Sequence, residues 1–307
     1  MPVTWNGVIP AQTTPFNADT DLTIDHGLLA AHARWMVDAG CAGLVPGGSL
    51  GEGATLTTPE KLQVLETLVR AVGDRTSILP AVASTSTAEA VRFVRDAGAA
   101  GASGFMVLPP YVYSTDWREM KAHIAAVLAA TDLPCMLYNN PVAYRTDFLP
   151  LQIAELAREF PHLEAVKESS TDVRRVTAIR ALLGGRLEIL VGVDDAIVEG
   201  IAAGATGWIA GLVNALPHES VSLFDAAREG RTEEAFALYR WFLPLLRLDT
   251  VPKFVQLIKL VQERMGWGSA RVRPPRLELA GAELAEALAV LEHALAHRIP
   301  FEMEVTR

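Results

Sequence analysis

Short apolar runs alternate with amphipathic segments along residues 1–217. Several of these runs are continuous rather than alternating, which is typical of parallel strands covered by helices. The pattern predicts eight β-strands, over Val8–Thr13, Gly43–Gly47, Ser77–Ala83, Gly104–Leu108, Cys135–Asn139, Leu163–Lys167, Leu187–Gly192 and Gly207–Leu212.

The segments between the strands carry helix signals. Thr58-Pro59-Glu60 supplies an N-cap, a proline in the first turn and an acidic first turn. Thr87 and Thr115 begin two further helices, and Asp172 and Asp195 begin two more. Residues 218–307 contain no strand-like run and predict three or four helices, over Glu219–Glu229, Glu233–Leu248, Lys253–Met265 and Ala282–His297.

Eight strands separated by helices match a closed (β/α)8 barrel in number and length. An open, doubly wound sheet is the alternative, but the first strand lacks a Gly-x-Gly-x-x-Gly turn into its helix. We therefore predict an α/β fold, a (β/α)8 TIM barrel over residues 1–217. A C-terminal helical extension over residues 218–307 is expected to pack on it.

Composition and charge limit the partners and the cellular location that we expect. The chain has 307 residues, and its formal net charge of −9 argues against a nucleic-acid partner. Cys41 and Cys135 cannot form a disulfide framework, and Met1–Pro10 does not resemble a signal peptide. The uncharged segment Gly200–Pro217 is rich in glycine, which favours a helix end, a turn and a buried strand over a membrane span. We expect a cytoplasmic protein with no membrane partner.

Lys167 is the unusual residue at the predicted strand ends. In a (β/α)8 barrel the reacting groups gather at the C-terminal ends of the strands, and Lys167 ends an apolar strand there. A partly desolvated lysine has a lowered pKa, so that more of it is the free amine that attacks a carbonyl. The alternative is a lysine whose ammonium reaches solvent or pairs with Glu168.

Tyr138 favours the catalytic interpretation. It lies at the end of the neighbouring strand, and adjacent strands are about 4.8 Å apart, so both side chains can reach one substrate atom. A phenol beside an imine-forming lysine can move protons as the imine forms. The alternative is a buried aromatic side chain with a satisfied hydroxyl group.

The loop Gly47-Gly48-Ser49-Leu50-Gly51 follows the second strand. Its glycines allow close backbone approach, and Ser49 adds a hydroxyl, which suits a substrate carboxylate held by N–H groups. The alternative is a tight turn without a ligand.

The sequence contains few candidate metal-binding sites. His293 and His297 share a helix face far from any carboxylate cluster, which fits an exposed helix end better than a zinc pair. Asp194-Asp195 could bind a divalent cation, although a turn and a helix cap are favoured. We expect neither a metal ion nor an organic cofactor.

Taken together, G-S-L-G-E at 48–52, Y-N-N-P at 138–141 and K-E-S-S at 167–170 resemble the dihydrodipicolinate synthase / N-acetylneuraminate lyase family. The resemblance covers essentially the whole chain. It implies Lys167 as the Schiff-base lysine, Tyr138 as the proton-transfer tyrosine, and Gly48 and Ser49 as part of a carboxylate site. It also implies a homotetramer, a dimer of dimers, acting on a small 2-oxo acid or its imine.

Thr14, Leu50 and Asn140 complete the set of residues that we expect to bind substrate. Thr14 belongs to the Thr-Pro-Phe landmark after the first strand, and Asn140 to the Y-N-N-P motif. We expect Leu50 to form an apolar wall of the pocket.

Departures from the synthase pattern affect the substrate. Synthases resemble one another in G-T-T-G-E, a Tyr-Tyr pair after the fourth strand and an arginine beyond the catalytic tyrosine. Here the corresponding positions hold Leu50, Val112 and Ala143, with Tyr111 and Tyr113 flanking Val112. These departures predict a reaction other than the synthase reaction of lysine biosynthesis.

A narrower similarity covers Y-N-N-P-V-A-Y at 138–144, K-E-S-S-T-D-V-R-R-V-T at 167–177 and W-I-A-G-L-V-N-A-L-P at 208–217. These segments resemble the branch that deaminates 1-pyrroline-4-hydroxy-2-carboxylate. Alternatives are the 2-keto-3-deoxy sugar-acid dehydratases and pyruvate-releasing aldolases of the same family, and a catalytically silent barrel that binds a small acid.

Overall fold

A computed structural model describes residues 2–110 and 115–299 of the chain. Within these residues, the strands are short, parallel and nine in number. They are β1 (Gly7–Pro10), β2 (Gly43–Leu44), β3 (Ser77–Ile78), β4 (Ala81–Val82), β5 (Phe105–Val107), β6 (Cys135–Asn139), β7 (Leu163–Glu168), β8 (Glu188–Val191) and β9 (Gly207–Ala210).

The strands form a (β/α)8 TIM barrel, which confirms the predicted fold. Seven of them pair in the order β1-β9-β8-β7-β6-β5-β4, and β2 pairs with β3. Backbone hydrogen bonds from Ala42 N to Val8 O and from Val45 N to Pro10 O, both 2.9 Å long, join β2 to β1. The predicted strand over 77–83 is divided into β3 and β4 at Pro80, whose nitrogen cannot donate a hydrogen bond.

Helices surround the sheet. They are α1 (His26–Asp38), α2 (Thr58–Val72), α3 (Thr87–Ala99), α4 (Trp117–Leu128), α5 (Pro141–Tyr144), α6 (Pro150–Glu159), α7 (Arg174–Leu183), α8 (Ile197–Ala202), α9 (Pro217–Arg228), α10 (Thr232–Leu246), α11 (Phe254–Arg264) and α12 (Gly281–Ala296). Short 3-10 turns cover Gly53–Thr55, Asp194–Ala196, Leu212–Asn214 and Arg247–Asp249. The predicted N-cap of α2 is displaced by one residue, because Thr57 rather than Thr58 forms a capping box with Glu60.

Alternation along the strands divides the core into two layers. Side chains pointing outward pack against the helices, whereas those pointing inward fill the barrel. The inner layer consists of Trp5, Ile9, Val45, Leu79, Ala81, Met106, Leu108, Met136, Tyr138, Ala165, Leu190 and Ile209. Lys167 lies two residues beyond Ala165 and therefore points into the barrel at its C-terminal end.

The C-terminal helices contact the barrel through buried polar groups. Thr13 Oγ1 donates to Gln262 Oε1 at 2.8 Å, and Lys259 Nζ donates to Thr14 O at 3.0 Å. Helix α11 thus packs beside the C-terminal end of β1. The division into a barrel and a helical region at residue 217 stays a prediction.

The uncharged segment Gly200–Pro217 folds as part of the barrel. It comprises the end of α8, a turn, the buried strand β9 and a 3-10 turn. Throughout the described part of the chain, every helix is too short or too polar to cross a bilayer.

Candidate active site

Lys167 and Tyr138 lie side by side at the C-terminal end of the barrel. The two residues are register partners on β7 and β6, and both side chains are almost fully buried, at 6% and 5% exposure. Lys167 Nζ lies 4.3 Å from the centroid of the Tyr138 ring. The structure thus brings together the two residues that the sequence predicts at neighbouring strand ends.

Burial sets the protonation of Lys167. Loss of solvation lowers its pKa from 10.5 to about 8, while the carboxyl groups of Asp249 and Asp194 act in the opposite direction. Much of this lysine is therefore a free amine at mildly alkaline pH. An ordinary surface lysine would be almost entirely an ammonium ion there.

Gly192 makes room for the Lys167 side chain. A Cβ atom on Gly192 would come within 2.0 Å of Ser169 Oγ and 2.6 Å of Lys167 Cε. Ser169 Oγ donates to Gly192 O at 3.0 Å and so joins the ends of β7 and β8. The position beside the lysine stem therefore requires a glycine.

The Tyr138 hydroxyl lies in a network of polar side chains. Asn140 Nδ2 donates to it at 3.0 Å, and Asn140 Oδ1 accepts from Ala143 N at 2.9 Å. Burial raises the pKa of Tyr138, whereas hydrogen bonds with Asn140, Ser169 and Tyr144 act to lower it. Asn140 therefore caps α5 and orients the Tyr138 hydroxyl at the same time.

Tyr144 is a site residue that the sequence analysis quoted within Y-N-N-P-V-A-Y but did not assign. Its ring meets that of Tyr138 edge to face, with centroids 5.7 Å apart, and its hydroxyl is hydrogen-bonded to Ser49 Oγ. Ser49 and Tyr138 are thus connected through Tyr144. The signal in the sequence was a second tyrosine one short helix beyond Tyr138.

The glycine-rich loop after β2 closes one side of the site. Gly47 has a φ of +70°, and a Cβ on Gly48 would contact Met106 and Ala81 of the inner layer. The backbone N–H groups of Ser49 and Leu50 donate to no acceptor among residues 2–110 and 115–299. These free donors beside the Ser49 hydroxyl suit a carboxylate.

Thr14 supports the glycine-rich loop, and Leu50 packs in the outer apolar layer. Thr14 Oγ1 donates to Gly51 O at 2.7 Å and so supports the glycine-rich loop from β1. Leu50 is buried in the outer apolar layer rather than the inner one. This position gives no support to Leu50 as a wall of the pocket, and its role and that of Thr14 in substrate binding stay predictions.

A buried ion pair between Glu52 and Lys259 supports the glycine-rich loop. Glu52, which has a left-handed φ of 54°, accepts from Lys259 Nζ at 2.9 Å, and both side chains are almost inaccessible to solvent. Its second oxygen accepts from Arg273 N at 3.0 Å. The C-terminal region therefore fixes the end of the glycine-rich loop.

Asp194 is fixed by its neighbours. Its carboxylate accepts hydrogen bonds from Trp208 Nε1, Gly211 N and Leu212 N, at 2.8–3.1 Å. Burial nevertheless raises its pKa to about 6. The expected helix cap at Asp195 is wrong, because that side chain pairs with Arg247 at 3.5 Å and does not bind the start of α8.

Neither the His293–His297 pair nor Arg145 binds a charged partner that would mark a metal or anion site among the described residues. The rings of His293 and His297 have centroids 4.4 Å apart, but the described residues contain no cluster of three or more metal-binding side chains. Arg145 is exposed and makes no ion pair with the described residues. Tyr111, Val112 and Tyr113, which bear on the synthase-like tyrosine pair, lie outside the described residues.

Comparison with known proteins identifies the class. Residues 4–294 match the Dihydrodipicolinate synthetase family. A 4-hydroxy-tetrahydrodipicolinate synthase of Synechococcus sp. (strain CC9605) is 32% identical over 294 residues, which cover 94% of this chain and 96% of the relative. The corresponding enzyme of Symbiobacterium thermophilum is 32% identical over 286 residues, covering 93% of this chain and 96% of the relative.

Solved structures agree with this class. The dihydrodipicolinate synthase of Aquifex aeolicus superposes with a TM-score of 0.89 at 26% identity, covering 97% of this chain and all of the other. YagE, a prophage protein of Escherichia coli K12 solved with pyruvate, gives 0.88 at 26% identity and covers 95% of this chain and 99% of the other. The chain belongs to the dihydrodipicolinate synthetase family and is an enzyme of the lyase type.

Proposed function

We propose that the protein forms a Schiff base between Lys167 and a small 2-oxo acid or its cyclic imine. The observation that carries this proposal is the contact between the Lys167 amine and the Tyr138 ring at the barrel mouth, 4.3 Å apart. The lowered pKa of Lys167 supplies the nucleophile, and the free N–H groups at Ser49 and Leu50 supply a seat for the substrate carboxylate.

The steps follow from these groups. The Lys167 amine attacks the carbon of the substrate C=O or C=N bond, and a carbinolamine or aminal forms. Tyr138 donates the proton that the departing oxygen or nitrogen needs, and its hydroxyl network carries the proton onward. The resulting iminium ion withdraws electrons from the adjacent carbon, which favours loss of a proton there.

For the particular reaction, we favour deamination of 1-pyrroline-4-hydroxy-2-carboxylate. Attack on the ring C=N bond and ring opening leave an enzyme-bound iminium with a free amino group. Loss of a C3 proton and the C4 hydroxyl releases one water. Hydrolysis of the remaining C=N bonds consumes two, so that the net reaction takes up one water and yields 2,5-dioxopentanoate and ammonia.

The synthase reaction is the second candidate, because the relatives are named for it. That name belongs to proteins about one third identical to this chain. Leu50 and Ala143 stand where synthases resemble one another in a threonine and an arginine, and the nearby Arg145 is exposed. We also propose that the protein assembles as a homotetramer in the cytoplasm, as the resemblance to the family implies.

Reduction with borohydride tests the Schiff base. Incubation with pyruvate and borohydride should add the reduced ligand to the peptide that contains Lys167, and Lys167→Met should abolish the adduct. Because the reactive form is the free amine and its pKa is about 8, the trapping rate should rise with pH and level off above about 8. A competent ligand that binds without forming any adduct would reject the Schiff base and favour the silent barrel.

A substrate panel distinguishes the reactions. Ammonia release from 1-pyrroline-4-hydroxy-2-carboxylate would support the deaminase. Release of pyruvate with an aldehyde would indicate the aldolase, and water loss alone from a 2-keto-3-deoxy sugar acid would indicate the dehydratase. Consumption of pyruvate with aspartate semialdehyde would support the synthase reaction instead.

A further inference from the structure

Asp249 reaches the barrel mouth from the C-terminal region. It ends the 3-10 turn after α10, and its carboxyl group packs against the backbone beyond β9. A Cβ on Gly211 would lie only 2.0 Å from Asp249 Oδ1 and 2.5 Å from its Cγ. The absence of a side chain at Gly211 is what allows this carboxyl group to enter.

Asp249 and Asp194 meet at Gly211. Gly211 N donates to Asp194 Oδ1 at 3.1 Å, and the Asp249 carboxyl group occupies the space beside the same residue, at the end of β9. The Asp249 carboxyl group thus lies at the same end of the barrel as Lys167 and Tyr138, although it belongs to a region distant in sequence. Both carboxyl groups act to raise the pKa of Lys167.

The two aspartates differ in what they can still bind. The oxygens of Asp194 are occupied by backbone and indole N–H groups. By contrast, no side chain or backbone group in the described part of the chain hydrogen-bonds to the half-buried Asp249 carboxyl. It is thus a reachable carboxyl group with unused hydrogen-bonding capacity.

Burial and two acidic neighbours favour the neutral form of Asp249. Lys167 on β7 faces it, together with Asp194 and Asp195 from the 3-10 turn after β8. Arg247, from the same turn as Asp249, is directed to Asp195, and Lys259 of α11 to Glu52. Burial and the two acidic neighbours raise the pKa of Asp249 well above its ordinary value, against the lowering effect of the Lys167 ammonium. A neutral carboxyl group can donate a proton, and it does not repel an anionic substrate.

We propose that Asp249 binds and protonates the leaving hydroxyl of a 4-hydroxylated 2-oxo acid held on Lys167. In this step, the C3 proton passes to solvent through the Tyr138 hydroxyl network, and the C3–H electron pair forms the C3=C4 bond. The C4–O bond breaks with its electron pair, and the Asp249 proton completes the departing water. Solvent then reprotonates Asp249. The proposal rests on the Schiff-base function, and it implies a substrate that carries a hydroxyl group on C4.

Asp249→Asn tests the proposal, because it keeps the shape of the side chain and removes the transferable proton. Asp38→Asn is the matched control, because this exposed carboxylate at the end of α1 pairs with Arg75 at 2.7 Å. We expect Asp249→Asn to form the borohydride adduct with pyruvate as the unmodified enzyme does. Its turnover of 1-pyrroline-4-hydroxy-2-carboxylate or a 2-keto-3-deoxy sugar acid should fall at least about 100-fold. Asp38→Asn should retain both properties.

A second variant separates proton transfer from a structural effect. Asp249→Ala opens a space beside Gly211, and added formate should restore part of its turnover of the hydroxylated substrate. The proposal is overturned if Asp249→Asn turns over within about threefold of the unmodified enzyme, or if formate restores nothing to Asp249→Ala. If the unmodified enzyme itself gives no adduct with pyruvate, the failure lies with the Schiff-base function, and the role of Asp249 falls with it.

Discussion

The reactivity of Lys167 depends on a few atoms around its amine. The Tyr138 ring lies beside it, Gly192 leaves space for its stem, and the Asp194 carboxylate opposes part of the effect of burial on its pKa. A charged lysine is costly to bury, so burial favours the neutral amine, which is the form that the proposed Schiff-base reaction requires.

Tyr138→Phe should separate packing from proton transfer. The ring stays against Lys167, but the hydroxyl bonded to Asn140 is lost. We expect kcat to fall by about 10²–10⁴-fold while the thermal unfolding temperature changes little. Steady-state kinetics and calorimetry measure the two effects. Tyr239→Phe, which removes a phenol on α10, should keep its turnover, and a Tyr138→Phe enzyme with normal kcat would refute the proton-transfer role.

Gly192→Ala should disable the site through one methyl group. The new Cβ would overlap Ser169 Oγ and the Lys167 stem, so the amine must move away from Tyr138. We expect the rate of borohydride trapping with pyruvate to fall at least about 10-fold, since small displacements of reacting groups cost large factors in rate. Gly185→Ala is the control, because a Cβ there meets nothing within 4 Å. Equal trapping rates in both variants would contradict the assigned role of Gly192.

Residue-level prediction from the sequence succeeded where a strand end sets the position. Lys167 and Tyr138 follow apolar strands that are neighbours in a barrel, so their proximity could be inferred. Tyr144 and Asp249 lie on a one-turn helix and on a turn of the C-terminal region. Their positions depend on tertiary packing, for which a single sequence contains no periodic signal.

At the level of elements, strand identity was predictable and strand length was not. The apolar runs identify each strand, but the regular strands end earlier than the runs do, at Pro10 in β1 and at Leu44 in β2, with an isolated bridge between Ala11 and Val45 beyond them. The remaining apolar residues continue into the loops that carry the site. The glycine-rich loop is one of these, and its shape depends on Glu52 and on residues far along the chain.

Lys259→Met should destabilise the fold by leaving Glu52 buried without its main partner. Removing one member of a buried ion pair costs about 3–5 kcal/mol in the free energy of unfolding. We expect a loss near the lower end of that range, because Arg273 N still donates to Glu52 and Arg276 lies 3.9 Å away. Urea denaturation measures the loss.

The exposed pair between Lys253 and Glu283 provides the control for this variant. Both side chains are about half exposed, so Lys253→Met should cost less than about 1 kcal/mol. The double variant Glu52→Gln/Lys259→Met should recover part of the stability that Lys259→Met loses, since no unpaired charge is left. Similar losses in Lys253→Met and Lys259→Met would mean that burial of the Glu52 pair has no energetic consequence.

For the whole molecule, the number of strands in residues 1–217 was enough to predict the barrel. The helices of the C-terminal region were also predictable to within two residues at each end, as in α10 and α12. The contribution of these helices to the candidate site was not predictable from the sequence. Lys259 supports the glycine-rich loop and Asp249 lies beside Gly211 at the end of β9, so the region completes the barrel mouth in addition to covering its side.

A protein truncated to residues 1–217 should therefore fail to fold as a stable barrel. Without the C-terminal region, Glu52 loses Lys259, Thr13 loses Gln262, and the apolar layer packed against α9 and α10 becomes exposed. We expect weak near-ultraviolet circular dichroism and no cooperative urea transition for this segment, in contrast to the full chain. Co-expression with residues 218–307 should restore both signals if the two parts assemble as they do in the intact chain. A segment 1–217 that unfolds cooperatively would establish the barrel as an independent domain, and the C-terminal region would then act only on the site and not on the fold.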